Sequence, residues 1–294
     1  MSTPSIREFM TSDGCRIRFR HWPAAEPRGI VIALHGIQSH SGWYKYSSRR
    51  MAEAGFDVWF MDRRGSGRNG FQRGHAIHAM RLINDVRALA QIARHEHPQK
   101  SGTTFPVTLM GISWGGKLAA AAAALFPGEF DRLALLYPGL VPRIGPTKWQ
   151  SFRLNFARDF EIIRRDIPIP LRDPALFTQS PEWQQFIADD PLTLHTVTSS
   201  FLNAGRELDR IVRTHATQIS QPTLLMLAGR DQIVDNARTW SLVRTFRSRS
   251  LTRLTYSDAC HTLEFESDRE RIYNDLIHWL QGLHCSEASR FQDA

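Results

Sequence analysis

Residues 105–126 read FPVTLMGISWGGKLAAAAAALF, and this stretch decides the fold. Its apolar run at 107–110 predicts a buried strand, in which β-branched residues are favoured. Residues 117–125 are almost all alanine and leucine, the strongest helix formers, and predict a helix. Ser113 therefore falls at a junction between a strand and a helix, with a glycine two residues away on either side.

Such a junction forces its central residue into a strained backbone conformation, and the flanking glycines remove Cβ atoms that would clash. The hydroxyl of Ser113 then projects beside the N-terminus of the following helix, where unpaired N–H groups stabilise an anion. This is the G-x-S-x-G pattern of a nucleophilic serine, in the structural context that the pattern requires. A tight turn without chemistry is the competing interpretation, which the neighbouring elements and the partners described below disfavour.

Apolar segments alternate with helical periodicities along most of the chain. A hairpin is predicted at 6–21, where two alternating segments flank Ser12-Asp13-Gly14. Further strands are predicted at 29–34, 56–61, 132–137, 222–228 and 251–256, and helices at 43–54, 79–97 and 268–283. Continuous apolar strands that alternate with helices are typical of an α/β fold with a mainly parallel central sheet flanked by helices.

One region departs from this alternation, because no strand of comparable strength is predicted between Pro138 and Pro222. Three phenylalanines recur there every fourth residue, on one face of a helix: Phe152, Phe156 and Phe160. We interpret residues 143–215 as a helical cap inserted before the last two strands, over the end of the sheet where such folds bind ligands. Residues 1–142 and 216–294 then form the core domain. Helices that pack a small core of their own are the alternative, and both interpretations can hold.

A serine hydroxyl is a weak nucleophile near neutral pH, so it needs a base within hydrogen-bond reach and a carboxylate that orients the base. In a sheet of this type, the acid and then the base follow later strands. Asp231 lies in the turn after the strand at 222–228, and Asp235 is a weaker candidate. His261 follows the last predicted strand. The sequence therefore predicts Ser113, Asp231 and His261 as the catalytic residues.

The oxyanion of a tetrahedral intermediate requires two N–H donors. We expect them to be the backbone N–H groups of Trp114, directly after Ser113, and of Ile37, in the loop after the strand at 29–34. His35 in that loop then has a structural role. The 12 histidines show no H-E-x-x-H or comparable ligand spacing, so no metal is expected.

Five segments resemble those of α/β-hydrolases of the monoacylglycerol lipase and lysophospholipase type, a group related to the serine aminopeptidases. They are LHGIQSHSGWY (34–44), FMDRRGSGRNG (60–70), LMGISWGGKLA (109–119), LAGRDQIVDN (227–236) and CHTLEFE (260–266). The resemblance implies the α/β-hydrolase fold, with Ser113 as nucleophile, Asp231 as acid, His261 as base and the N–H groups of Ile37 and Trp114 as oxyanion donors. It also implies action on carboxylic esters of long-chain lipids or on smaller esters, without cofactor or metal.

The sequence departs from that family in two places. Residues 65–69 read GSGRN where relatives often have G-x-G-x-S, and the predicted cap is rich in arginine. Both departures bear on the acyl substrate and leave the three catalytic side chains intact.

Together these observations predict a serine hydrolase that cleaves a carboxylic ester through an acyl-enzyme, with monoacylglycerol or lysophospholipid as the leading substrate class. A thioesterase, an acyltransferase and an aminopeptidase are the alternatives that use the same residues. A ligand-binding module without turnover is the alternative from another class, which the complete set of three side chains disfavours.

Composition limits the partners and the compartment. The 294 residues carry 37 Lys and Arg against 29 Asp and Glu, a net charge of +8 that arises as scattered arginines within residues 1–100. No long basic run, zinc pattern or RNA-binding signature accompanies this charge, so no nucleic-acid partner is expected. A solvated surface is favoured, with weak association with an anionic membrane surface as the alternative.

The three cysteines, Cys15, Cys260 and Cys285, are odd in number and far apart, which argues against a disulfide framework. Cys260, next to His261, is interpreted as a small buried residue. No apolar segment has the length of a signal peptide or of a membrane span, so a cytoplasmic protein is expected. The oligomeric state is not predicted.

Overall fold

The computed structural model describes residues 3–97, 105–144 and 166–282, and a sheet of eight strands forms its centre. These strands are β1 (Ser5–Met10), β2 (Arg16–Trp22), β3 (Gly29–Leu34), β4 (Phe56–Met61), β5 (Val107–Ile112), β6 (Arg132–Leu136), β9 (Thr223–Ala228) and β10 (Leu251–Tyr256). Their order in the sheet is β1-β2-β4-β3-β5-β6-β9-β10. β2 pairs antiparallel with β1 and β4, and all other neighbours are parallel. The predicted hairpin and the mainly parallel sheet are confirmed.

Seven α-helices occur within the described residues: α1 (Lys45–Glu53), α2 (Ala79–Glu96), α3 (Trp114–Leu125), α4 (Pro181–Asp189), α5 (Ser199–His215), α6 (Asn236–Val243) and α7 (Arg269–Leu280). The structure confirms the helices predicted for α1, α2, α3 and α7 to within three residues at each end. α6 was not predicted. Its signal in the sequence is Asp235, whose side chain accepts a hydrogen bond from the Arg238 N–H and caps the helix. Within the ranges given above, no helix combines the length and the apolar character that a bilayer crossing requires.

The central strands lie in the core of the molecule. Every residue of β3, β4, β5 and β9 is buried, as expected of strands covered on both faces by helices. Because β5, β6, β9 and β10 run parallel, the loops that follow them meet at one edge of the sheet. Ser113, Asp231 and His261 all lie in these loops.

The segment between β6 and β9 holds α4, α5 and a small antiparallel sheet of β7 (Asp166–Pro168) and β8 (Thr196–Thr198). These three-residue strands agree with the absence of a strong strand signal. α5 packs against α3, the helix that begins directly after Ser113. The three phenylalanines spaced four apart lie outside the described residues, and the division into a core and a cap at 143–215 stays a prediction.

The first turn of α3 approaches the end of β3 so closely that only glycine fits between them. A Cβ atom on Gly115 would lie 2.5 Å from the carbonyl oxygen of Leu34 and 2.6 Å from that of His35. A Cβ atom on Gly111 would lie 2.6 Å from the carbonyl oxygen of Gly115. These neighbours are backbone atoms, which cannot move aside as the end of a flexible side chain can. The steric role expected of both glycines is confirmed.

We expect Gly115→Ala to lower the free energy of unfolding by at least about 2 kcal/mol, because the new methyl group overpacks two backbone carbonyls. Urea unfolding of the purified variant measures the change. Gly128→Ala is the matched control, since a Cβ atom there meets nothing within 4 Å, and a change of less than about 1 kcal/mol is expected. Equal stabilities of the two variants would show that α3 does not lie this close to β3.

Candidate active site

Ser113 has the strained backbone expected at the strand-to-helix junction. Its φ is +49° and its ψ is −121°, a conformation that costs roughly 1–3 kcal/mol for a residue with a side chain. Backbone hydrogen bonds hold it there: its N–H donates to Leu136 (3.1 Å), and its carbonyl accepts from Gly116 (2.8 Å) and Gly139 (2.6 Å). The position of the serine is thus fixed by β6 and the loop after it, as well as by its own helix.

His261 and Asp231 form a continuous hydrogen-bonded chain with Ser113. The Ser113 Oγ lies 2.9 Å from His261 Nε2, and His261 Nδ1 lies 2.8 Å from Asp231 Oδ2. The other carboxylate oxygen of Asp231 accepts hydrogen bonds from the N–H groups of Ile233 (2.8 Å) and Val234 (2.9 Å). The side chains of His261 and Asp231 are almost completely buried. The structure thus brings the three predicted catalytic residues together.

This arrangement fixes the proton positions. A carboxylate only accepts hydrogen bonds, so the Nδ1 of His261 carries the proton that faces Asp231. In the neutral ring, Nε2 then keeps its lone pair and accepts a hydrogen bond from the Ser113 hydroxyl. The pair is therefore poised for the transfer of the serine proton to the imidazole.

Asp235, the weaker candidate for the acid, has a different role. Its carboxylate accepts a hydrogen bond of 2.9 Å from the N–H of Arg238 at the start of α6. The sequence ranked Asp231 above Asp235, although both follow β9 within a few residues. Tertiary structure separates them, since Asp231 reaches His261 and Asp235 caps a helix.

The loop at 35–37 lies beside Ser113. A Cβ atom on Gly36 would be 3.4 Å from the Ser113 Cβ and 3.7 Å from its Oγ. Within the described residues, neither the Ile37 N–H nor the Trp114 N–H donates a hydrogen bond, and Trp114 stands in the first turn of α3, where N–H groups lack helical acceptors. Both predicted donors therefore remain available to an oxyanion.

His35 orders this loop, as its predicted structural role requires. Its Nδ1 donates to the carbonyl of Gly36 (2.7 Å), and its Nε2 accepts from the N–H of Arg63 (2.9 Å). Burial, together with the nearby charge of Arg63, lowers the pKa of His35 well below its usual value. The ring is therefore neutral, with its proton on Nδ1.

Two aromatic residues around His261 were not identified from the sequence. The rings of Tyr137 and Phe177 stand edge-on to the imidazole, at centroid distances of 4.9 and 5.9 Å. Tyr137 directly follows β6 and has a φ of +36°, whereas Phe177 belongs to the segment between β6 and β9. The backbone N–H of Thr262 also donates to the carbonyl of Phe177 (2.9 Å). These contacts restrict the rotation of the imidazole ring.

Asp190, from the same segment, is bonded to the loop that continues from residue 37. Its Oδ2 accepts hydrogen bonds from His40 Nε2 (2.8 Å) and Trp43 Nε1 (2.6 Å). The N–H of Leu194 donates to the carbonyl of Gln38 (2.9 Å). The loop after β10 carries His261 and is called the base loop (257–262). The segment between β6 and β9 is thus attached to both the base loop and the loop after β3.

Cys260 is buried, as expected, and burial raises the pKa of its thiol. No group of three His, Cys, Asp or Glu side chains that could hold a metal ion occurs in the parts of the chain that the structure describes. Neither observation assigns chemistry to a residue other than the three in the hydrogen-bonded chain.

Glu264 connects the end of the base loop to helix α1. Its Oε1 accepts hydrogen bonds from the N–H groups of Tyr46 (2.8 Å) and Ser47 (3.1 Å), in the first turn of α1. The side chain is buried, and burial raises its pKa to about 7 in spite of these bonds. The loop that carries His261 is thereby tied to the positive end of α1.

A carboxyl group with a raised pKa binds its proton more tightly in the folded state. Its contribution to the free energy of unfolding is therefore complete below pH 4.5 and is lost as the pH rises through 7. We expect wild type to lose about 3 kcal/mol relative to Glu264→Gln between pH 4.5 and pH 8, as measured by urea unfolding at several pH values. Glu270→Gln alters an exposed carboxylate in the first turn of α7. Its free energy of unfolding should vary with pH as that of wild type does. If the free energies of unfolding of wild type and Glu264→Gln changed with pH in the same way, the raised pKa of Glu264 would be contradicted.

Comparison with known proteins places this chain within a family. The profile of the serine aminopeptidase S33 family matches residues 25–268. The chain is 27% identical to a monoacylglycerol lipase of Mycolicibacterium smegmatis over 281 residues, which cover 95% of this chain and 98% of the relative. Human monoglyceride lipase is 22% identical over 94% of this chain and 90% of its own length.

Solved structures share the fold. A soluble variant of monoglyceride lipase from Saccharomyces cerevisiae, in complex with a substrate analog, superposes with a TM-score of 0.83 at 18% identity and covers 96% of each chain. A thermostable carboxyl esterase from Bacillus coagulans gives a TM-score of 0.80 at 19% identity, over 96% of this chain and 99% of the esterase. The α/β-hydrolase fold implied by the sequence resemblance is confirmed.

Proposed function

Because the chain belongs to the serine aminopeptidase S33 family of α/β-hydrolases, we propose that it is a serine hydrolase that cleaves carboxylic esters through an acyl-enzyme. Its monoacylglycerol lipase relatives match it along nearly their whole lengths, and they support carboxylic ester hydrolysis as its reaction. The observation that carries the mechanism is the buried hydrogen-bonded chain from Ser113 through His261 to Asp231.

Acylation begins when the Ser113 Oγ attacks the carbonyl carbon of the ester and its proton passes to His261 Nε2. Asp231 holds the imidazole in the required tautomer and stabilises the imidazolium that forms. The tetrahedral intermediate then collapses, the bond to the alkoxy oxygen breaks, and His261 returns the proton to the leaving alcohol. The acyl group remains on Ser113 as an ester.

Deacylation repeats these steps with water as the nucleophile. Water gives a proton to His261 as its oxygen attacks the acyl carbon. Collapse then breaks the bond between the acyl carbon and the Ser113 Oγ, His261 returns the proton to this Oγ, and the carboxylic acid is released. In both halves the N–H groups of Ile37 and Trp114 stabilise the oxyanion, and each donor is worth about 3 kcal/mol in enzymes of this kind.

Monoacylglycerol or lysophospholipid is the proposed substrate class. The names of the relatives support the first, and a lysophospholipase of Escherichia coli that is 28% identical over 78% of this chain supports the second. A thioesterase, an acyltransferase and an aminopeptidase would use the same three residues, so the substrate must be decided by turnover measurements.

We expect wild type to hydrolyse p-nitrophenyl esters from acetate to palmitate, with a chain-length optimum that reports the size of the acyl site. Ser113→Ala and His261→Ala should each lower kcat by a factor of at least about 10⁴, and Asp231→Asn by about 10³ to 10⁴, because the three side chains act as a unit. A fluorophosphonate probe should label wild type and fail to label Ser113→Ala.

Asp235→Asn is the matched control for Asp231→Asn. It alters another carboxylate after β9 that caps α6 and should leave kcat near the wild-type value. Absence of both ester turnover and probe labelling in wild type would favour the binding module. Full activity of Ser113→Ala would exclude the proposed nucleophile.

A further inference from the structure

Arg63, two residues after β4, lies directly beneath the loop at 35–37. Its Nη1 donates to the carbonyl of Gly36 (3.1 Å), and its Nη2 donates to the carbonyl of Ile37 (3.1 Å) and to the hydroxyl of Ser66 (2.8 Å). The residue is only 3% exposed. A rigid, fully buried fork of donors thus spans two consecutive carbonyls of this loop.

The same guanidinium also contacts the residue that follows the nucleophile. Its carbon lies 4.6 Å from the centroid of the Trp114 ring and 5.0 Å from that of Phe201. A single side chain therefore touches both residues whose N–H groups are the proposed oxyanion donors, through the carbonyl of Ile37 and the ring of Trp114.

The positive charge of Arg63 is not neutralised by a direct ion pair. No carboxylate of the described residues lies within ion-pair distance of it, whereas the neighbouring Arg64 pairs with Asp13 and Asp85. Burial lowers the pKa of Arg63 to about 9, so the group keeps its charge at neutral pH. A buried cation without a paired carboxylate is costly to the fold, and two of the three hydrogen-bond acceptors that compensate Arg63 are carbonyls of the loop at 35–37.

The Gly36–Ile37 peptide unit connects Arg63 to the proposed oxyanion hole. Its N–H is a proposed oxyanion donor, and its carbonyl accepts hydrogen bonds from both Arg63 Nη1 and His35 Nδ1. Because a peptide unit is planar, holding the carbonyl also fixes the direction of the N–H. Hydrogen bonds to the carbonyl also polarise the unit and strengthen its N–H as a donor.

We propose that Arg63 is a positioning residue of the oxyanion hole, which aims and polarises the Ile37 N–H while its stacking fixes Trp114. The proposal rests on the proposed serine hydrolase function. It assigns to Arg63 a contribution to the tetrahedral transition state, where the negative charge develops, and little contribution to the binding of the ester itself.

The test compares wild type, Arg63→Met and Arg63→Lys with p-nitrophenyl butyrate as substrate. The kcat is expressed per site titrated to completion with a fluorophosphonate, so that any misfolded fraction does not count. Loss of a whole oxyanion donor costs about 10² to 10³ in kcat. In Arg63→Met the Ile37 N–H is no longer held in direction, and we expect kcat to fall about tenfold to a hundredfold while KM changes less than about threefold. Arg63→Lys keeps the charge but not the forked donors of the guanidinium, so its kcat should lie between those of wild type and Arg63→Met.

Affinity for an aryl trifluoromethyl ketone, which forms a tetrahedral adduct with the serine, provides the readout that a merely structural role would not move. It should weaken in Arg63→Met by the same factor as kcat/KM. Arg87→Met is the matched control, because Arg87 also stacks on an aromatic ring, that of Phe126, and pairs with Glu129. Phe126 follows the far end of α3, about 20 Å from Ser113 along the helix, so kcat per titrated site should not change.

Wild-type kcat per site and wild-type inhibitor affinity in Arg63→Met would overturn the proposal. If that variant does not fold, Arg63→Lys decides: unchanged kcat and inhibitor affinity overturn it, and a parallel loss of both supports it. Failure of the proposed function looks different, because wild type itself would then show neither turnover nor labelling.

Discussion

The contact between the first turn of α3 and the carbonyl oxygens at the end of β3 is the constraint on which the site depends. It leaves no room for a Cβ atom at Gly115 and so brings the N-terminus of the helix against the loop that follows β3. The backbone must then turn sharply at Ser113, with a positive φ. The Ser113 hydroxyl therefore lies between the loop at 35–37 and the first turn of α3. The positions of the proposed nucleophile and of the proposed oxyanion donors thus follow from one packing contact between backbones.

The parallel sheet supplies the remaining groups. β9 and β10 run in the same direction as β5, so the turns after them deliver Asp231 and His261 to the same edge. Each turn is held by bonds other than those between Ser113, His261 and Asp231. Two N–H groups of its own loop hold the Asp231 carboxylate, and the hydrogen bonds from the first turn of α1 to Glu264 hold the base loop. The geometry is therefore set before any substrate binds.

Local signals made much of this predictable. The strand, glycines and helix around Ser113 occur within 22 consecutive residues, and strand order alone pointed to Asp231 and His261. Arg63 could not be identified in this way, because its proposed role follows from contacts with Gly36 and Trp114, which are distant in the sequence. Tyr137 and Asp190 were missed for the same reason. Short elements such as α6 and β7 gave periodic signals too weak to detect, although the cap of α6 was visible in Asp235.

The bonds from Asp190 to His40 and Trp43 have a consequence for protein engineering. The segment between β6 and β9 is not an interchangeable module, because its removal would leave two buried donors of the core without an acceptor. A chimera that carries a foreign segment must therefore supply a carboxylate at the position of Asp190 or replace both donors with apolar residues. Grafting at this segment must therefore treat the two donors and their acceptor as one unit, which is either kept together or replaced together.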